Sequence, residues 1–388
     1  MYIAIFALFL GTFSIGTTEF VIAGILPSIA ADLNTSIPSA GLFVTYYALG
    51  VAVGGPILTL ALARMPRKAM ALAMMGLFIA GHVICALAGS YWIVMVGRIV
   101  TAVGHGAFFG LAVVLAAKVA PPQQVGRALS FIFAGVAIAN IVGVPLGTWI
   151  GITWGWRTTF WMVGGLAVLA MIGIALFVPR GSDAGAQTSS VADQVRSLAN
   201  LQVLTSFGLI FLMMVALWNL NTFIAPYLVE VVGMPADWLA PMLLCFGLMA
   251  TAGTLIGGPL ADKHPTITLR WCYVGFALAY GAVLLLATTN LYVGLASVIL
   301  IILPLTLVST TVQNRVLIGA KAAPELASTL ISSVFNTGTA LGSLIGAYAL
   351  SGGLDYGHLP IVSFGAATLA AVLAVVVTTF DRRAVPAG

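Results

Sequence analysis

Glu19 and Arg98 each lie inside a long apolar run, where a charged side chain is costly and needs a purpose. Of the ten acidic residues, the other nine fall in connections or at the ends of such runs. An apolar medium favours the neutral form of a carboxyl group and a nearby cation favours the charged form, so Glu19 is placed to take up and release a proton. The same placement also fits a fixed ion pair or a helix-packing hydrogen bond. Arg98 is the natural partner. Glu19 lies about six residues before the end of its run and Arg98 about six after the start of its own, which at about 1.5 Å per residue puts both about 9 Å deep. Arg98, Thr101 and His105 follow i, i+3, i+7 and share a helix face, so His105 is positioned either to relay protons or bind a ligand, or simply to hydrogen-bond between helices.

A second set of polar residues needs different chemistry. The later apolar runs contain Trp218, Asn219, Asn221, Tyr227, Tyr280, Gln313 and Asn336 but no deeply placed charge. Amides and aromatic rings suit a neutral, partly polar small molecule. Asn219 and Asn336, with Trp218 and Tyr227 beside them, are the candidates for holding it, and hydrogen bonding between helices is the competing reading. No group of His, Asp and Glu has metal-ligand spacing and no nucleophile motif is present, so neither a metal, a cofactor nor an enzymatic reaction is expected. Cys85, Cys245 and Cys272 are odd in number, sit inside apolar runs and read as small packing residues.

The elements that must position these groups follow from composition. The chain has 388 residues, 61% hydrophobic and only 6% charged, whereas a soluble domain carries roughly a quarter charged residues. Apolar stretches of about twenty residues recur, the length an α-helix needs to cross about 30 Å of hydrocarbon, and too long for the strands of a membrane barrel. The reading is an all-α membrane protein with twelve transmembrane helices. Breaks at Pro, Gly and charged clusters place spans at 3–25, 40–62, 69–88, 92–117, 128–150 and 160–178, then at 203–229, 240–260, 269–287, 291–312, 326–350 and 361–380. Between the two sets lies the longest polar stretch, so the organisation is an N-terminal six-helix half (1–178), a linker (179–200) and a C-terminal six-helix half (201–388). The first span lacks a basic flank and is expected to be retained rather than cleaved.

Orientation follows from Lys and Arg, which resist translocation. Alternate connections and the termini carry Arg64, Arg67, Lys68, Lys118, Arg127, Arg180, Arg196, Lys263, Arg270, Arg315, Lys321, Arg382 and Arg383, and the opposite connections only Arg157. Both termini and the linker are therefore expected in the cytoplasm. The formal charge of +5 is spread thinly, which argues against a nucleic-acid partner. Lipid, protons and a small-molecule substrate are the expected partners, and a monomer the expected state.

Gly54, Gly55 and Pro56 near the end of the second span recur as Gly257, Gly258 and Pro259 near the end of the eighth, which suggests a duplicated six-span unit. Parallel repeats of that kind suit a substrate site near the midplane and rocking-type alternating access. The run from Gly55 to Lys68 resembles the loop between spans two and three of the major facilitator superfamily, whose usual form is Gly-x-x-x-Asp-Arg-x-Gly-Arg-Arg. Arg64, Arg67 and Lys68 keep its basic positions, while Ala63 and Pro66 replace its Asp and second Gly. The second copy, Gly258 to Lys263, retains the acid as Asp262.

Arg98 through Gly106 is similar to the span-four motif of that superfamily, with Thr101 where Gln is common. Gly135, then Gly143, Pro145 and Gly147, then Gly151, resemble the antiporter motif of its exporters. Taken with Thr17-Thr18-Glu19-Phe20 and with Gly155-Trp156-Arg157-Thr158-Thr159-Phe160, the chain resembles the twelve-span drug:proton antiporter family and, within it, the branch of sugar-efflux and chloramphenicol-resistance exporters. That resemblance implies the major facilitator fold in a bacterial inner membrane. It also implies proton-coupled export of small neutral organic molecules, with sugar or nucleoside efflux, or uptake by symport, as the alternative. In purely physical terms, small residues every fourth position let two helices approach closely, and Pro145 removes a backbone donor and bends its span.

Overall fold

The computed structural model describes residues 1–62, 64–179, 198, 200–320 and 324–384, and all regular structure among them is helical. Twelve helical segments are long and apolar enough to cross a membrane. They are α1 (Tyr2–Asp32), α2 (Ile37–Ala61), α3 (Arg67–Ala86), α4 (Tyr91–Val119), α5 (Pro122–Trp154) and α6 (Trp156–Phe177), followed by α7 (Leu201–Asn221), α8 (Ala236–Lys263), α9 (Pro265–Leu286), α10 (Leu291–Gly319), α11 (Leu326–Ser351) and α12 (Tyr356–Phe380). Apart from Pro179, Leu198 and Asn200, the expected linker lies outside the described residues, as do Arg180, Arg196, Lys321 and the side chains of Arg382 and Arg383.

Surface and interior are distributed as lipid demands. Leu60, Leu285 and Trp92 keep 77%, 76% and 73% of their surface exposed, while Thr12, Ser14 and Asn219 keep none. In water such a surface would drive association, whereas against lipid tails it is the matched one, and small and polar residues move inward to join helices.

By packing, the described residues form two units: α1 to α6 with Asp237–Gly247, and α7 with the remainder. Inside the first, α1 packs on α5 and α6, and α3 on α4 and α6. Inside the second, α7 packs on α11 and α12, and α9 on α10 and α12. Each pairing thus recurs six helices later. Close approach also recurs: Gly54 and Gly55 of α2 lie against Val103 and Gly106 of α4, and Gly253 and Gly257 of α8 against Thr306 and Leu307 of α10, although Gly258, the counterpart of Gly55 in the repeated Gly-Gly-Pro, faces open space. In both places the absent side chain lets the paired backbones come together.

Three helix ends depart furthest from the sequence reading, and one of them is that of α10, expected to stop near residue 312 but helical to Gly319. α1 was expected to stop near residue 25, but the helix runs through Pro27 to Asp32. α7 was expected to reach residue 229, yet its helix ends at Asn221 and the chain continues as one short turn, Ile224–Pro226, and a π-helical turn, Tyr227–Val231. Further π turns interrupt α2 at Gly50–Gly54 and α5 at Ala139–Gly143, just ahead of Pro56 and Pro145. A proline inside a helix has no N–H to donate and its ring crowds the carbonyl four residues back, so a widened turn upstream relieves both problems. Pro259 makes no such turn, because α-helix continues from Leu239 to Lys263 around it.

Candidate functional site

Arg98 is fully buried on α4. Its Nη1 donates to the backbone carbonyl of Thr18 on α1 at 3.3 Å, and its Cζ lies 3.8 Å from the centroid of the Tyr47 ring on α2. A guanidinium over an aromatic face is held by the ring quadrupole, an attraction that grows when water is excluded. The Tyr47 hydroxyl lies 2.8 Å from Nδ1 of His105, about two turns further along the same face of α4. Nε and Nη2 of Arg98 have no hydrogen-bond partner among the described residues.

Glu19 is the residue after Thr18 and is only partly buried. Among the described residues it forms no ion pair within 4 Å; the pairs present are Arg157 with Asp32 and His358 with Asp355. Arg98 nevertheless lies close enough to act on Glu19 electrostatically. Helix rise alone placed the two at equal depth, and the structure puts them in neighbouring positions without direct contact.

His82 of α3 lies in the same region. Its Nδ1 is 2.8 Å from the Phe78 carbonyl, which can only accept, so Nδ1 carries the proton. Nε2 then accepts from the Thr18 hydroxyl at 2.9 Å. Thr18 therefore offers its side chain to His82 and its carbonyl to Arg98. Thr101 departs from the expected face: its hydroxyl donates to Gly97 and lies in the seam with Gly81 of α3. Arg98 and His105 meet at Tyr47, and Thr101 takes no part.

The glycines of α5 explain how α1 is held. Gly135 lies against Thr12, Gly143 against Thr17, Gly147 against Val21 and Gly151 against Ile25. One face of α5 thereby lies along the helix that carries Glu19, and Gly143 meets it two residues from that carboxyl group. Thr12 donates across the seam to the Ile132 carbonyl at 3.0 Å, and Thr159 of α6 to the Gly147 carbonyl at 2.8 Å. Pro145 follows the π turn that realigns this face.

A sequence profile of the Major Facilitator Superfamily matches residues 8–347. The chain belongs to the Major Facilitator Superfamily. It is 36% identical over 377 residues to the inner membrane transport protein YdhP of Escherichia coli K12, covering 95% of this chain and 94% of that one. It is 29% identical over 353 residues to the chloramphenicol resistance protein of Streptomyces lividans, covering 90% of each. The crystal structure of the peptide transporter POT in complex with alafosfalin superposes with a TM-score of 0.74 over 98% of this chain and 94% of that one; at 14% identity this shows the major facilitator fold alone. The protein is thus a multi-pass membrane transporter.

The remaining candidates of this transporter are distributed more widely. In the motif of the α2–α3 connection, Lys68 donates to the carbonyls of Ala175 and Val178 at 2.7 and 2.6 Å, a cation on the unpaired carbonyls that end α6. Arg67 is half-buried, whereas Arg64 and Asp262 are exposed. At the other end of the first unit, Asp32 accepts from Arg157 at 2.7 Å and from Trp156 at 3.2 Å, and Arg157 also donates to the Ala88 carbonyl. The extension of α1 past Pro27 supplies that carboxylate. Gly155, at φ +91°, makes the sharp entry into α6 that a side chain would strain.

In the second unit, Asn219 donates to the Leu359 carbonyl at 2.8 Å and to the Ser363 hydroxyl at 3.0 Å, fastening α7 to α12. Tyr280 of α9 donates to the Ala216 carbonyl at 2.8 Å. Asn336 donates within its own helix to Ser332. Trp218 is fully buried and Tyr227 nearly so, in the π turn. No hydrogen bond among the described residues joins Asn219 to Asn336. Sequence reasoning missed a ladder that binds these helices: Gly338, Gly342 and Gly346 of α11 lie against Phe211, Val215 and Asn219 of α7, as the α5 glycines do against α1. Its fourth-residue spacing was visible in the chain. Tyr47 was also missed, although a tyrosine hydroxyl inside a span needs a partner and so signals one.

Proposed function

We propose that this transporter is a proton-coupled antiporter that exports small neutral organic molecules, with Glu19 as the group that carries the proton and Arg98 as the cation that responds to it. The observation that carries this reading is the state of the pair: Arg98 is buried on the Thr18 carbonyl and the Tyr47 ring with two nitrogens unpartnered, while Glu19 beside it is not locked in an ion pair. A carboxyl group fixed in a tight pair would resist protonation, whereas one near a cation with spare donors can alternate between a neutral state and a paired one. Neutralising Glu19 lowers the cost of enclosing it, so proton binding can be linked to which side is open. The chloramphenicol resistance protein among its relatives supports a drug-like neutral cargo. On this reading Asn219, Asn336, Trp218 and Tyr227 belong to the cargo site, the protein resides in a bacterial inner membrane and works as a monomer, and both termini and the linker are cytoplasmic.

Glu19→Gln imitates the protonated state permanently. Reconstituted with chloramphenicol as the probe, this variant should still exchange labelled compound across the membrane but lose accumulation driven by a pH gradient. Uphill accumulation at the wild-type rate would assign the proton to another group and overturn the reading.

A further inference from the structure

We propose that Tyr47 is a positioning residue that couples the protonation state of His105 to the placement of Arg98. This deepens the antiport reading, on which it rests for its relevance to transport but not for its test. Three distances define the arrangement: the Tyr47 ring lies 3.8 Å from the Arg98 Cζ, its hydroxyl 2.8 Å from His105 Nδ1, and Arg98 in turn 3.3 Å from the carbonyl of Thr18, the residue before Glu19. Arg98 and His105 sit on one helix and do not hydrogen-bond to each other; a rigid ring on another helix touches both. Tyr47 is 2% exposed, so water does not compete for either contact.

The coupling follows from hydrogen-bond inventory. A neutral His105 with its proton on Nε2 accepts at Nδ1 from the Tyr47 hydroxyl. A doubly protonated ring has no free lone pair, so Nδ1 donates instead and the phenol oxygen must accept, turning its own hydrogen elsewhere. No covalent bond changes in the phenol, which only reverses the sense of one hydrogen bond. That reversal changes the electrostatics of the ring that holds the guanidinium, and the guanidinium reports it to the backbone beside Glu19. The titratable and charged groups around the cluster are Glu19 on α1, Tyr47 on α2, His82 and Cys85 on α3 and Arg98 on α4 itself, while α5, also packed on α4, carries only Arg127 near its start. Among them Tyr47 alone contacts both Arg98 and His105 directly. A purely structural tyrosine would fill the same space, but exchanging it for phenylalanine would leave the behaviour of His105 untouched.

Nitrogen-15 NMR of the full-length protein labelled at histidine tests this without any transported ligand. There are four histidines, and loss of a signal in His105→Gln assigns the one of interest. In Tyr47→Phe, the His105 titration midpoint should move by about half a pH unit or more, with the other three unmoved. The displacement that Arg98→Gln causes in the wild-type background should shrink at least about twofold in the Tyr47→Phe background. An unaltered His105 titration in Tyr47→Phe, or an undiminished effect of Arg98→Gln, overturns the proposal. Should Tyr47→Phe fail to accumulate, the wild-type spectrum decides: a hydrogen-bonded Nδ1 on His105 is expected, and a free one overturns it. Because these signals are read without transport, failure here is distinguishable from failure of the Glu19 reading.

Discussion

At the scale of single residues, Arg98 shows how much chemical context a buried cation requires. Its charge would be served by any cation, but its placement uses a planar group that can lie on the Tyr47 ring while an edge nitrogen reaches the Thr18 carbonyl. Lysine is a point charge on a flexible stem and cannot do both. Arg98→Lys should therefore lose most uphill transport, at least about tenfold, as expected when a cation–π contact of about 0.5–2 kcal/mol and a directed hydrogen bond are lost together. Arg98→Ala should abolish it. Efflux of chloramphenicol from vesicles holding equal amounts of each protein measures both, and wild-type rates in the lysine variant would mean that only the charge matters. Glu19 was legible from its type and position, because a lone carboxylate in an apolar run has few explanations. Thr18 was not, since the atom it offers to Arg98 is a backbone carbonyl that every residue possesses.

Elements are joined here chiefly by missing side chains. The α5 glycines on α1 and the α11 glycines on α7 hold backbones together where lipid offers no hydrophobic drive for association. A methyl group at Gly342 would meet the backbone of α7 at Val215 and Asn219, which cannot move aside as a flexible side chain would. Gly365 of α12 faces open space. Gly342→Ala should destabilise the protein by about 1–3 kcal/mol through overpacking, while Gly365→Ala should be neutral or slightly stabilising because it restrains the helix. Thermal unfolding in detergent compares them, and equal transition temperatures would show that the close approach is not needed. A parallel loss at Gly143→Ala is expected to act on the α1 segment before Glu19, since that methyl would meet Thr17.

For the whole molecule, twelve spans and two units with the same internal pairings fit an ancestral six-helix unit used twice. Chemically the two copies have diverged. The first holds Glu19, Arg98, His82 and His105, whereas in the corresponding helices of the second the charges, Arg270 and Arg315, lie toward helix ends and the middle carries amides, hydroxyls and rings. On the proposed antiport reading, one copy handles the proton and the other the neutral cargo. The proposed orientation rests on the basic connections, among which Lys68 also serves the structure by capping the carbonyls that end α6. In a cysteine-free background, a cysteine replacing Thr153 should react with a membrane-impermeant reagent applied to intact cells, and one replacing Ser189 should not. Labelling at Ser189 alone would reverse the assigned orientation.

What the sequence determined by itself was whatever depends on composition along a line. Span number and approximate place follow from the length of apolar runs against the thickness of hydrocarbon, and the family likeness from motifs that are contiguous or nearly so. Proline was a weaker guide. Pro27 was expected to close α1 and did not, because the following residues stay helical and Asp32 is needed at Arg157 and Trp156; Pro226 did break its span, into turns not foreseen. Only the tertiary structure decided which polar groups meet. Asn219 is turned to α12 rather than to Asn336, Thr101 to α3 rather than to Arg98, and Tyr47 comes from another helix to stand between Arg98 and His105. Helical periodicity specifies a face to within part of a turn, whereas a hydrogen bond requires a partner within about 3 Å, and that is set by how neighbouring helices cross and by the glycines that let them approach.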